Sequence, residues 1–132
     1  MKIPSEKELD RIRREYPVGT IIEIQKMDDP QAPPVGTLGE VIGVDDMGDL
    51  EMLWSTGSNL KVILSEDRIR KVDGVITVCY GQREYWRRRK QAADYFLDGI
   101  NATEGSECER YSKIYAELLC GKTVCTDEYE DQ

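Results

Sequence analysis

The side chains with the most chemical potential lie between Arg83 and Lys90. Arg83, Arg87, Arg88, Arg89 and Lys90 place five cations within eight positions, interleaved with Tyr85 and Trp86. Guanidinium and ammonium groups grip phosphates, and aromatic rings stack on unpaired bases. The run is therefore a candidate surface for nucleic acid or for a protein partner. It falls where a helix is expected to begin, and the helix dipole opposes cations at that end. A placement against the local field favours a functional reading. The plainer alternative is that Trp86 is core and the cations form a solvated face that pairs with acidic residues elsewhere in the chain.

A second group carries the opposite charge: Asp28, Asp29, Asp45, Asp46, Asp49 and Glu51 crowd neighbouring loops. Carboxylates held this way imitate phosphates toward a basic protein, or they hold a divalent cation. The glycine and terminal glutamate of an EF-hand loop are not at the required spacing, so no metal is expected. Turn-forming aspartates on a solvated surface also account for the group. Trp54, just before Gly57-Ser58, is either one wall of an aromatic peptide groove or a core residue ending a strand. Asp127-Glu128-Tyr129-Glu130-Asp131 reads as a frayed end or as a contact for a basic surface.

Catalysis finds no organised set of groups. The sequence has no histidine, which removes the commonest general base and metal ligand together. Cys79, Cys108, Cys120 and Cys125 lack paired C-x-x-C spacing, so buried free thiols are expected rather than zinc. Neither a phosphate-binding glycine loop nor a nucleophile elbow is present. The expectation is a non-enzymatic protein with no cofactor.

These residues must be positioned by short elements. Ser5 and Glu8 have capping-box spacing, and a helix over 6–15 with Leu9 and Ile12 inward ends at Tyr16-Pro17. From 18 to 72 the pattern turns to strands: 20–27, 36–44, 49–54, 59–64 and 68–72, with a helical turn at 65–67. Gly36, Gly39 and Gly43 in the second strand suit the bending of a small barrel. Five short strands in under sixty residues predict closure, which protects their edges, in the order of an SH3-like barrel.

Beyond Asp73-Gly74 the sequence predicts a strand over 75–80, a turn at Gly81-Gln82 and a short return at 83–85. A helix over 87–99 should bury Trp86, Ala93, Phe96, Leu97 and Ile100. A second capping box, Ser106 to Glu109, opens a helix to Cys120 striped by Cys108, Tyr111, Tyr115, Leu118 and Leu119. Residues 122–126 could return as a strand beside 75–80. The fold class is thus α+β: an N-terminal helix (1–15), a five-stranded SH3-like β-barrel (16–73) and a β-α-α-β tail (74–132).

The net charge is −8, with five basic and eleven acidic residues over 16–73 giving −6 there. A net-negative chain is repelled by bulk nucleic acid, while it suits a basic protein surface. No apolar run approaches a membrane span and residues 1–15 lack the apolar stretch of a signal peptide. A cytoplasmic protein is expected.

Tyr16-Pro-Val-Gly-Thr, Met27-Asp-Asp-Pro-Gln-Ala-Pro-Pro, Gly36-Thr, Gly39, Val41, Val44-Asp-Asp-Met-Gly, Trp54, Gly57-Ser and Glu66-Asp-Arg together resemble the domain of unknown function 4314 family. The tail, with Arg83-Glu-Tyr-Trp and Cys125-Thr-Asp-Glu, looks like an accessory segment of the same elements. The resemblance implies a phage or mobile-element setting in Firmicutes and brings no site residues with it. The function expected is a non-catalytic accessory protein that docks acidic loops on a host protein with a basic surface. An inhibitor of a defence nuclease, of anti-CRISPR type against a CRISPR effector, fits this description. The rival readings are a nucleic-acid-binding factor using Arg87–Lys90 and an assembly protein of the element, as a homodimer through the tail helices.

Overall fold

In the computed structural model, which describes residues 3–129, the chain divides between Val72 and Asp73 into two units. Each has its own sheet and its own buried cluster. The first unit opens as its capping spacing predicts. The Ser5 hydroxyl accepts the Glu8 N–H at 3.2 Å, and helix α1 (Glu6–Glu15) follows. Leu9 is its buried residue and Ile12 packs on the sheet core. Both reach the turn at Gly48 (φ +83°), where an added Cβ would stand 3.2 Å from Ile12 Cδ1.

Strands β1 (Ile21–Lys26), β2 (Leu38–Val44), β3 (Leu50–Trp54) and β4 (Arg68–Lys71) pair antiparallel in the order β3-β2-β1-β4. Alternation of β3 puts Leu50, Met52 and Trp54 inward. They join Ile22, Ile24, Val41 and Val62 in one core. Full burial of such side chains is worth about 1.5–3 kcal/mol each, and this cluster holds the unit together.

The expected closure and fifth strand of an SH3-like barrel are not found: among the described residues the sheet has four strands, and its end strands β3 and β4 do not pair. The segment over 59–64 contributes only an isolated bridge, Val62 to Leu50. Its backbone groups are taken by side chains instead of a ladder. Leu60 C=O accepts Trp54 Nε1 at 2.8 Å, Leu60 N–H donates to Ser58 Oγ, and Ile63 N–H donates to Asp67 Oδ2 at 2.8 Å. Trp54 is 1% exposed, so it is core and lines no peptide groove.

The second unit begins with a hairpin, β5 (Val75–Cys79) and β6 (Gln82–Trp86). Its turn is Tyr80-Gly81, one residue earlier than expected, with φ of +53° and +77°. Positive φ at both positions matches the twist of a two-residue hairpin. Helices α2 (Arg89–Ala102) and α3 (Gly105–Leu119) pack on each other, and β7 (Val124–Thr126) returns parallel to β5. The core is Val75, Ala92, Phe96, Ile114, Leu118 and Cys125.

Four expectations are corrected here. Trp86 is not on α2, because it pairs with Val75 and ends β6. The Ser106 capping box is unused, since α3 is capped at extended Glu104 without a side-chain bond. The α3 stripe buries Ile114, while Leu119 is 65% exposed. Asp127 also departs from the expected frayed end. It is buried, accepting the Tyr80 N–H at 2.8 Å and Arg110 Nη1 at 2.6 Å. Glu130 and Asp131 lie outside the described residues. No helix among the described residues is long and apolar enough to cross a membrane.

Candidate functional site

The acidic loops of the first unit surround a cleft of about 380 Å³. The loop after β1 brings Asp28 and Asp29, the turn just before β3 brings Asp49, and the segment before β4 brings Glu66 and Asp67. Met27, Leu60 and Ile63 supply apolar wall. Five carboxylates thus face one ammonium, Lys61, and that ammonium is spent on Asp45 at 2.8 Å.

The carboxylates are not equivalent. Asp45 is scaffold: its Oδ1 accepts the N–H groups of Met47 and Asp49, closing the turn. Burial pushes the Asp45 carboxyl up, but the Lys61 ammonium and these two N–H groups outweigh it and hold the pKa below 3.8. Asp49 goes the other way. Burial raises it first and the neighbouring Asp45 charge next, against the pull of Lys61, so it sits above 3.8. Asp67 accepts the Ile63 N–H, and Asp29 accepts the Gln31 N–H at 2.7 Å. Asp28 lies 3.8 Å from Lys26, with both side chains largely in solvent, a pair that contributes little.

Of the six acidic candidates, Asp28, Asp29 and Asp49 come together in the cleft. Asp45 holds its turn, Asp46 is exposed on that turn, and Glu51 lies over Gly43, its Oε1 2.6 Å from where a Cβ would stand. Glu66 and Asp67 were missed by sequence reasoning, which assigned them only to a helical turn. The signal was present in their charge, but not their proximity to Asp49.

The basic–aromatic run is split across three settings. Arg83 and Tyr85 lie on β6, the guanidinium 5.5 Å from the Tyr85 ring centroid. Trp86 donates its indole N–H to Thr77 Oγ1 at 2.9 Å. Arg87 and exposed Arg88 connect β6 to α2, with Arg88 as its extended N-cap. Arg89 reaches across to the end of α3, donating to Leu118 O at 3.0 Å and Lys122 O at 2.7 Å. The unfavourable dipole at its own helix start is thereby offset by the carbonyl end of another helix. Lys90 pairs with Asp94 at 2.6 Å, one turn along α2.

The thiols are all free. Burial pushes Cys125 up to about 11, and burial followed by the Asp127 charge raises Cys79. Neither is a ready thiolate. Among the described residues no three Cys, Asp or Glu side chains converge as metal ligands.

The family described as a domain of unknown function (DUF4314) matches residues 5–72. No curated protein and no solved structure matches the chain.

Proposed function

Starting from a chain that belongs to the domain of unknown function (DUF4314) family, we propose a non-catalytic binding protein whose first unit captures basic side chains of a host protein. The observation that carries this reading is the cleft itself: five carboxylates around about 380 Å³, with the ammonium among its lining residues, Lys61, already engaged by Asp45. Every cleft residue lies inside the matched segment. A surface of this kind associates quickly with a cationic groove, and salt weakens the association. The resemblance set out above supports a mobile-element origin and action in the bacterial cytoplasm. The nucleic-acid channel of a defence nuclease, such as a CRISPR effector, is the kind of surface the cleft suits. Nucleic-acid binding by the Arg83–Lys90 run has less support, because Arg89 and Lys90 are bonded internally.

The test is affinity capture from nuclease-treated host lysate with the full chain and with a variant carrying Asp28→Asn, Asp29→Asn, Asp49→Asn and Glu66→Gln. Asp45 and Asp67 are left intact because they close backbone turns. Capture by the native chain that falls at least tenfold in the variant, and that falls with added salt, supports the reading. Equal capture by both chains defeats it.

A further inference from the structure

The second unit contains a smaller cavity of about 150 Å³ whose walls differ in kind from the acidic cleft. Three of them are rings: Trp86 from β6, and Tyr95 and Phe96 from α2. Trp86 and Tyr95 stand 5.4 Å apart at 45°, and Tyr95 meets Phe96 edge-on at 5.1 Å. Phe96 is buried, but Tyr95 is 60% exposed, its ring tilted against Trp86. The indole N–H is occupied by Thr77 Oγ1, which leaves an incoming group the ring and not the N–H.

One charged side chain lines the cavity, Glu84. Alternation along β6 puts Gln82, Glu84 and Trp86 on the cavity side. Glu84 is exposed, and the residues lining the cavity bring no cation to it. Thr77, Gln82 and the thiol of Cys79 complete the lining without a cation. Ring faces carry negative potential and attract cations within about 6 Å, and arrays of such faces recognise alkylammonium groups. Here the rings share a cavity with a carboxylate and no lining cation, and the volume is of the size that admits a benzene-sized group. A neutral apolar guest would make no use of the Glu84 charge; a phosphate or carboxylate would be repelled by it. A flexible alkyl stem ending in a positive charge satisfies both walls.

We propose that this aromatic–carboxylate cavity binds an alkylammonium group, the side chain of a lysine presented by a partner protein. The site lies wholly within residues 77–96 and does not depend on the cleft of the first unit. The alkyl stem lies against Trp86 and Tyr95 while the ammonium donates to Glu84. The step is binding only, with no bond made or broken.

The experiment is a titration of the full chain at constant ionic strength. The probes are two capped tripeptides, Gly-Lys-Gly and its norleucine counterpart, which keeps the alkyl stem but lacks the ammonium. The chain has two tryptophans, so the indole N–H region of an NMR spectrum holds two resonances, and Trp54 is an internal reference. The lysine peptide should shift the Trp86 resonance saturably, with a dissociation constant on the order of 1–10 mM. The norleucine peptide should bind at least about fivefold more weakly. Glu84→Gln and Tyr95→Ala alter exposed side chains, and each should weaken the lysine peptide at least about threefold. Unchanged amide dispersion confirms that each variant keeps its fold. Equal shifts from the two peptides, no saturable shift with lysine, or full binding by Glu84→Gln would each overturn the proposal.

Discussion

Gly39→Ala is the smallest change that should cripple the first unit. Gly39 sits on β2 directly across from Trp54 on β3. A Cβ there would lie 2.3 Å from Trp54 Cε3, 2.8 Å from Cζ3 and 2.9 Å from Cδ2. Carbon atoms rest at about 3.5–4.0 Å, so the ring would have to withdraw by roughly 1 Å. It has nowhere to go: Trp54 is 1% exposed and its Nε1 is tied to Leu60 O at 2.8 Å. Overpacking costs about 1–3 kcal/mol, and breaking the tether adds about 1 kcal/mol. The sum, about 2–4 kcal/mol, is a large part of the roughly 5–15 kcal/mol that holds a domain together. Urea unfolding followed by amide resonances of β1 isolates this unit from the other. Gly57→Ala is the control. Its φ is +91° but no atom lies within 4 Å of the new Cβ, so only about 1 kcal/mol of backbone strain is expected. Adding Trp54→Leu to Gly39→Ala should show a favourable coupling above about 1 kcal/mol. If Gly39→Ala costs no more than Gly57→Ala, the steric reasoning is wrong.

Other outcomes follow from contacts in the second unit and from charge. Arg89→Met removes the donor to Leu118 O and Lys122 O and should destabilise that unit by about 2–3 kcal/mol in urea; Arg89→Lys should not restore it, lacking the fork. For Asp127, burial pushes the carboxyl up, but the Tyr80 N–H and the Arg110 guanidinium together hold it below 3.8. A depressed folded value means its contribution is present above 3.8 and lost as pH falls through the folded pKa. The second unit should therefore weaken on acidification below about pH 4, and Asp127→Asn should lower its stability at pH 7 and flatten that acid limb, both measurable by circular dichroism. Iodoacetamide at mildly alkaline pH should modify exposed Cys120 first and Cys125 last, because Cys125 is buried and pushed up to about 11; peptide mapping gives the order.

Much of the architecture is legible because local rules act without competition. Alternation over Leu50–Trp54, the Ser5 cap and the stop at Tyr16-Pro17 depend only on near neighbours, and each forms as read. Reading fails where a distant partner decides. Trp86 looks helical by spacing, but Val75 claims it for the hairpin. Residues 59–64 have strand chemistry, yet Trp54, Ser58 and Asp67 side chains take the backbone groups that a ladder would need. Gly39 looks like a bend and is instead the floor beneath an indole. The acidic cleft was half visible for the same reason. Asp28, Asp29 and Asp49 announce themselves by charge, but Glu66 and Asp67 join them only once the chain has crossed back past Leu50 at Val62.

The parallel pairing of Val124–Thr126 with Ile76–Val78 sets an order of events during synthesis. The first unit closes its sheet with residues up to Lys71, so it can complete while the ribosome is still extending the chain. The second must wait for almost its last described residues, since the strand beside β5 and the Asp127 anchor both arrive there. Parallel pairings of high sequence separation form slowly. A nascent chain stalled near residue 120 would thus present a finished acidic cleft joined to an unfinished aromatic cavity, and the two surfaces would mature at different times from one message.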